Sequence, residues 1–128
     1  MRVVIIDDDD SLANALRLLL ELNDYEVTVF TDAKDAVTSV EAGDYDFVLV
    51  DYKMPVHDGV WFMENTKIPP ATRVILITAY VNRDVIKKMF SLGVSGYLIK
   101  PFDEEELLRN LTFFAPGDKL PTIDDFPR

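Results

Sequence analysis

The sequence predicts an α/β fold: a doubly wound, five-stranded parallel sheet with five helices covering both faces. Two observations carry this prediction. Five short apolar runs alternate with five stretches whose apolar residues recur at helical spacing, the pattern of strand-helix-strand units with right-handed crossovers. The runs are also almost continuously hydrophobic, as strands buried on both faces must be. A chain of 128 residues suits one such domain, and no repeat, low-complexity tract or linker interrupts the alternation.

The elements follow in order. Val3 to Ile6 form the first strand, and the acids from Asp7 onward make its exit. Leu12, Ala15, Leu16, Leu19 and Leu22 mark one stripe of a helix, with acids ahead of its first turn where the helix dipole favours them, and Asn23-Asp24 ends it. Glu26 to Phe30 form the second strand. Thr31 or Asp32 caps a helix with Ala33, Ala36, Val37 and Val40 inside and Gly43 at its end. Phe47 to Val50 is the third strand, stopping abruptly at Asp51. A short helix runs from Val60 to about Asn65, with Trp61, Phe62 and Met63 as core filling. Pro69-Pro70 bars helix, and Arg73 to Thr78 is the fourth strand. Asn82 caps a helix carrying Val85, Ile86, Met89 and Phe90 and stopping at Gly93. Tyr97 to Ile99 is the fifth strand. Asp103, with Glu106 three residues on, opens a last helix through Leu107, Leu108 and Leu111, closed by Pro116-Gly117. We expect one domain over 1–115, with 116–128 a C-terminal tail or the start of a truncated linker.

Composition narrows the function. The hydrophobic share of 48% is that of a globular chain. A net charge of -10 argues against direct nucleic-acid contact, which rests on clustered Lys and Arg. Cysteine is absent, so thiolate chemistry and disulfides are excluded. The first apolar run is too short for a signal peptide or a membrane span, and we expect a cytoplasmic chain without membrane contact.

Parallel strands send their carboxyl ends to one edge of the sheet, where open α/β sheets bind ligands. Asp7 and Asp8, Asp51, Thr78 and Lys100 each follow or end an apolar run and should converge there. An acid at one strand exit can be merely a turn former. Four strands ending in chemically useful groups are harder to explain that way, while the second contributes nothing obvious. If the first and third strands are neighbours, their acids lie about 5 Å apart. Each pair then repels by about 3 kcal/mol at an effective dielectric of about 20. A hard divalent cation, a shared proton or the ammonium of Lys100 could neutralise them; Mg²⁺ suits Asp7, Asp8 and Asp51 well. Asp9 and Asp10 read as first-turn acids of the helix.

Four motifs resemble the response-regulator receiver domain: Val-Val-Ile-Ile-Asp7-Asp8-Asp9-Asp10-Ser11, Val-Leu-Val-Asp51-Tyr-Lys-Met54-Pro55-x-x-Asp58-Gly59, Ile-Leu-Ile-Thr78-Ala79 and Gly96-Tyr97-Leu-Ile-Lys100-Pro101-Phe102. The likeness extends from Arg2 to about Phe114. It implies the flavodoxin-like strand order 2-1-3-4-5 and a cis peptide before Pro101. It further implies that Asp51 takes a phosphoryl group from a phosphohistidine of a sensor histidine kinase or histidine phosphotransfer protein. Mg²⁺, with Mn²⁺ as a substitute, would be held by Asp7, Asp8, Asp51 and the main-chain carbonyl of Lys53. Thr78 and Lys100 would surround the phosphoryl oxygens, and Thr78 and Tyr97 would switch the face made by the fourth helix, fifth strand and fifth helix. That face would regulate a downstream partner or output domain, or form a homodimer. Such a chain is a phosphoacceptor, not an enzyme with turnover of its own.

Blander readings stand beside these. Thr78 is also a plain strand-end hydroxyl, Tyr97 an ordinary β-former and Lys100 a solvated charge. His57, the sole histidine, lies in a turn and suits a surface role better than phosphoryl transfer or metal binding. A rival class is the haloacid-dehalogenase type of phosphohydrolase, with Asp7 as nucleophile in Asp7-x-Asp9-x-Ser11; it leaves Asp51 and Met54-Pro55 unexplained. A flavin binder fits less well, because four consecutive aspartates would repel its phosphate. Val94, where the family usually has alanine, and the compact stretch from Gly59 to Arg73 depart from the receiver pattern.

Overall fold

The structure, a computed structural model, describes residues 1–79 and 82–115. Its strands are β1 (Arg2–Ile6), β2 (Glu26–Phe30), β3 (Phe47–Asp51), β4 (Arg73–Thr78) and β5 (Gly96–Ile99). Its helices are α1 (Asp10–Leu22), α2 (Ala33–Glu41), α3 (Gly59–Asn65), α4 (Arg83–Ser91) and α5 (Glu104–Phe114). All strand pairs are parallel, in the order β2-β1-β3-β4-β5. The expected segment 116–128 lies outside the described residues, as does the Pro116-Gly117 stop; α5 ends at Phe114 with Ala115 as its C-cap.

Side chains alternate between two apolar layers, as the strand period of two requires. Val4, Ile6, Val48, Val50, Val74 and Leu76 face α2, α3 and α4, meeting Ala36, Val40, Phe62 and Met89. Val3, Ile5, Leu49, Ile75 and Ile77 face α1 and α5, meeting Leu16, Leu20, Leu107 and Leu111. Each helix opens on a side-chain cap. Asp9, Asp58, Asn82 and Asp103 each accept from a backbone N–H three residues on, and Asp32 accepts from Lys34. Asp24 ends α1 in the left-handed region, and Gly43 and Gly93 do the same after α2 and α4.

Two helical faces differ from expectation. In α1 the buried residues are Ala13, Leu16 and Leu20, whereas Ala15 is exposed and Leu22 is 83% exposed. Leucines at 12, 16, 18, 19, 20 and 22 surround this helix, so spacing alone left its rotation open, and packing onto β1 and β3 chose it. In α4 only Met89 is buried, and Phe90, expected inside, is exposed. Val85 packs against the core only from a half-buried position. Trp61 is likewise only half-buried, while Phe62 and Met63 fill the core as expected.

Candidate functional site

The site forms because β1 and β3 are neighbours and end level. Ile6 pairs with Val50, so the next residues, Asp7 and Asp51, stand side by side at the carboxyl edge. Asp51 does not open the loop; it is the last residue of β3, still in register with Ile77 of β4. A ladder position fixes the direction of its side chain better than a turn would. Both acids are sequestered, Asp7 at 0% and Asp51 at 8% exposure, while Asp8 is exposed at the rim.

Carboxylate oxygens of Asp7, Asp8 and Asp51 all lie within 4.8 Å of one another. From the end of β5, the ammonium of Lys100 donates to Asp7 Oδ2 at 3.0 Å and to Asp51 Oδ2 at 3.1 Å. The other oxygens of Asp7 and Asp51 have backbone partners. The Asp9 N–H donates to Asp7 Oδ1 at 3.0 Å, and the Lys53 N–H to Asp51 Oδ1 at 3.3 Å. Thr78 is fully buried at the end of β4, and its carbonyl accepts the Lys100 N–H at 2.8 Å. The next peptide, Lys100–Pro101, is cis, as the resemblance implied.

Electrostatics leave this cluster short of positive charge. Two ammonium contacts near 3 Å attract by roughly 5 kcal/mol each at an effective dielectric of about 20. Three acid pairs within reach of one another repel by roughly 3 to 4 kcal/mol each on the same basis. The two effects nearly cancel, so the desolvation of the buried acids remains uncompensated. Burial, followed by the charge of Asp7, accordingly pushes the Asp51 carboxyl above its ordinary value despite Lys100. Burial works against the Lys100 ammonium, but its bonds and charge pairing with Asp7 and Asp51 outweigh that and raise its pKa.

The donor set fits a hard divalent cation. Oxygens around Mg²⁺ at about 2.1 Å lie roughly 3 Å apart when adjacent and 4.2 Å when opposite. The spacing among Asp7, Asp8 and Asp51 approaches this within a small inward shift. Lys53 is exposed on the loop directly after Asp51. Asp7, at 0% exposure, is the least reachable of the three acids, whereas Asp51 keeps 8% and Asp8 is exposed. The haloacid-dehalogenase reading has no support.

Tyr97 stands apart from the cluster. It lies on β5, exposed, with its ring edge-on to Phe90 at 6.1 Å between centroids. Together with Ile99 it gives the β5 edge an apolar face, beside a groove lined by Glu106, Arg109 and Phe114.

Two features were not legible in the sequence. Phe30, at the end of β2, accepts the Asp7 N–H through its carbonyl at 3.1 Å, so the strand that offered nothing obvious does steady the site. His57 Nδ1 lies 3.1 Å from Asp32 Oδ1, the cap of α2. No spacing rule links positions 32 and 57; only the packing of α2 beside α3 brings them together. Among the described residues, no helix is long and apolar enough to cross a membrane.

Comparison with known proteins agrees with this fold. The family model described as response regulator receiver domain matches residues 3–112. The response regulator ArlR of Staphylococcus saprophyticus is 31% identical over 112 residues, which cover 86% of this chain and 50% of ArlR. The chain thus spans about half the length of that relative. Chemotaxis protein CheY-3 of Vibrio cholerae is 30% identical over 115 residues, covering 87% of this chain and 88% of CheY-3. The receiver domain of sensor histidine kinase PA1611 from Pseudomonas aeruginosa, solved with a magnesium ion coordinated in its active-site cleft, superimposes with a TM-score of 0.78. It is 27% identical, over 88% of this chain and 95% of that one.

Proposed function

Because the chain belongs to the response-regulator receiver family of two-component signalling, we propose that Asp51 accepts a phosphoryl group from a phosphohistidine. The donor is a sensor histidine kinase or a histidine phosphotransfer protein. The P–N bond to the donor imidazole breaks as a P–O bond to an Asp51 carboxylate oxygen forms, and the freed imidazole nitrogen takes up a proton. The observation that carries this is Lys100 bridging Asp7 and Asp51 inside a ring of three acids. Phosphoryl transfer to an ionised carboxylate needs no general base; it needs positioning and neutralised charge.

Asp7, Asp8, Asp51 and the Lys53 carbonyl would hold Mg²⁺, or Mn²⁺ in its place, which supplies neutralising charge to the phosphoryl oxygens. Lys100 and the Thr78 hydroxyl serve those oxygens from the other side. The chain acts as a phosphoacceptor, taking part only in its own phosphorylation and hydrolysis. We take residues 1–115 as the receiver unit, working in the cytoplasm, without membrane or direct nucleic-acid contact.

The signal leaves through α4, β5 and α5. Thr78 moves towards the phosphoryl group and Tyr97 turns inward, withdrawing its ring from Phe90 and changing the apolar face presented to an output partner or a second copy. A full switch from 1:99 to 99:1 needs about 5.5 kcal/mol of differential stabilisation. One charge-assisted hydrogen bond supplies about 1.5 to 3 kcal/mol. Thr78 therefore shares the work with Lys100 and the backbone donors after Asp51.

Treatment with acetyl phosphate and Mg²⁺, followed by intact mass, tests the acceptor. Wild type gains one phosphoryl group and Asp51→Asn gains none. Labelling that survives in Asp51→Asn would end this reading.

A further inference from the structure

The loop from Asp51 to α3 contains a backbone conformation that needs holding. Val56 has φ +67°, rare for a β-branched residue, and is 88% exposed, so its side chain does not compensate. The His57 N–H donates to the Pro55 carbonyl at 2.8 Å, two residues back. The bond and the positive φ together make a γ-turn of the strained kind. A turn like this persists only when its surroundings over-determine it.

Two anchors flank it. On one side Met54 is buried in the core against β3 and α3. On the other, His57 Nδ1 meets Asp32 Oδ1 at 3.1 Å, and the imidazole lies against Trp61 with centroids 4.2 Å apart. Because the acceptor is a carboxylate, Nδ1 carries the proton. Asp32 is itself fixed, since the same oxygen accepts the Lys34 N–H as the cap of α2. Its carboxyl is held below the ordinary range, chiefly by that backbone bond; burial opposes the shift, and the bond and charge of His57 add to it.

We propose that His57 is a positioning residue for phosphoryl transfer: by gripping Asp32 it keeps the Pro55–His57 turn closed and so holds the Lys53 backbone against Asp51. The proposal rests on the receiver reading above. The geometry that supports it is short and direct. Lys53 donates to Asp51 Oδ1, and only Met54 and Pro55 separate Lys53 from the turn. Each residue that straightens adds up to about 3.5 Å of reach. If Val56 relaxes to an extended backbone, either His57 leaves Asp32 or the peptide after Asp51 shifts. With both anchors in place that relaxation is opposed, and the Gly59 N–H, which donates to the Tyr52 carbonyl at 2.9 Å, closes the same loop. Asp32, two residues beyond β2, thereby acts on the site without touching it.

The full chain is tested as wild type, His57→Ala and His57→Asn, whose side-chain amide sits near the position of Nδ1. Calorimetric Mg²⁺ titration and the rate of acetyl phosphate labelling are read alongside emission of Trp61, the sole tryptophan. Loss of one partly exposed ionic hydrogen bond should weaken Mg²⁺ affinity and slow labelling about three- to fivefold in His57→Ala. Trp61 emission should change with it, and His57→Asn should return affinity and rate to within about twofold of wild type. The proposal is overturned if His57→Ala matches wild type in affinity and rate, or if His57→Asn is as impaired as His57→Ala. Wild type failing both to bind Mg²⁺ and to label would instead remove the receiver reading, and this proposal with it.

Discussion

Replacing Lys100 by methionine keeps most of the stem and removes the charge that bridges Asp7 and Asp51. Both contacts are near 3 Å and all three side chains are largely shielded, at 20%, 1% and 11% exposure. Removing one partner from such a group leaves buried charge uncompensated, at a cost of about 3 to 5 kcal/mol. Since the ammonium keeps some contact with water, the low end is expected, about 3 kcal/mol. In a domain of this size that lowers Tm by roughly 10 °C. The pH dependence has a definite sign. Lys100 has a raised pKa, so its contribution is fully present below the ordinary lysine value and is lost only as pH rises through the raised one. The deficit should therefore be complete near neutrality and shrink in acid, as the Asp51 carboxyl, whose pKa is raised, takes up a proton and needs no partner. Thermal unfolding in EDTA across pH reads this directly, and a second series with Mg²⁺ should stabilise Lys100→Met more than wild type. A variant as stable as wild type in EDTA at neutral pH, or equal stabilisation of both by Mg²⁺, would refute the argument that Lys100 neutralises the acids.

Three further outcomes follow from the same packing. Asp51→Asn should unfold at higher urea concentration than wild type in EDTA. The folded carboxyl has a raised pKa, so the penalty for its charge is absent in acid and appears as pH rises through that value; the gain in the variant should grow likewise. Gly96→Ala places a methyl group 2.7 Å from the Phe114 ring, which must move off β5; a loss of about 1 to 3 kcal/mol is expected in urea unfolding, with altered near-ultraviolet dichroism. Met89→Ala removes the one buried residue of α4 and should cost about 2 to 4 kcal/mol, with hydrogen exchange rising first in that helix.

Much of the molecule was legible because its signals are local. A buried parallel strand is apolar along its whole length, so Val48 to Val50 or Val74 to Ile77 could be read in isolation. A cap needs only its own side chain and the N–H groups of the next turn, which is why Asp32, Asn82 and Asp103 were visible. Asp7, Asp8, Asp51, Thr78 and Lys100 were singled out by one topological rule, that parallel strands deliver their last residues to a common edge, whereas Lys53 and Tyr97 came only from the family resemblance. The leucine-rich α1 marks where such reading stops. With apolar residues on every side, the helix presents several equivalent faces, and only the sheet beneath it selects Ala13, Leu16 and Leu20.

The sequence by itself determined the element order, the α/β class and the identity of the acids and the lysine at the strand ends. Those properties depend on residue type and on spacings within one element. Tertiary structure decided which acids touch and which groups share a charge. Lys100 is 49 residues from Asp51 and 93 from Asp7, and His57 is 25 from Asp32. Contacts over such separations are set by strand order and helix packing, which no periodicity encodes. Asp51 illustrates the division: its chemistry is written in the chain, but its burial and its bond to Lys100 exist only once β1, β3 and β5 come to one edge.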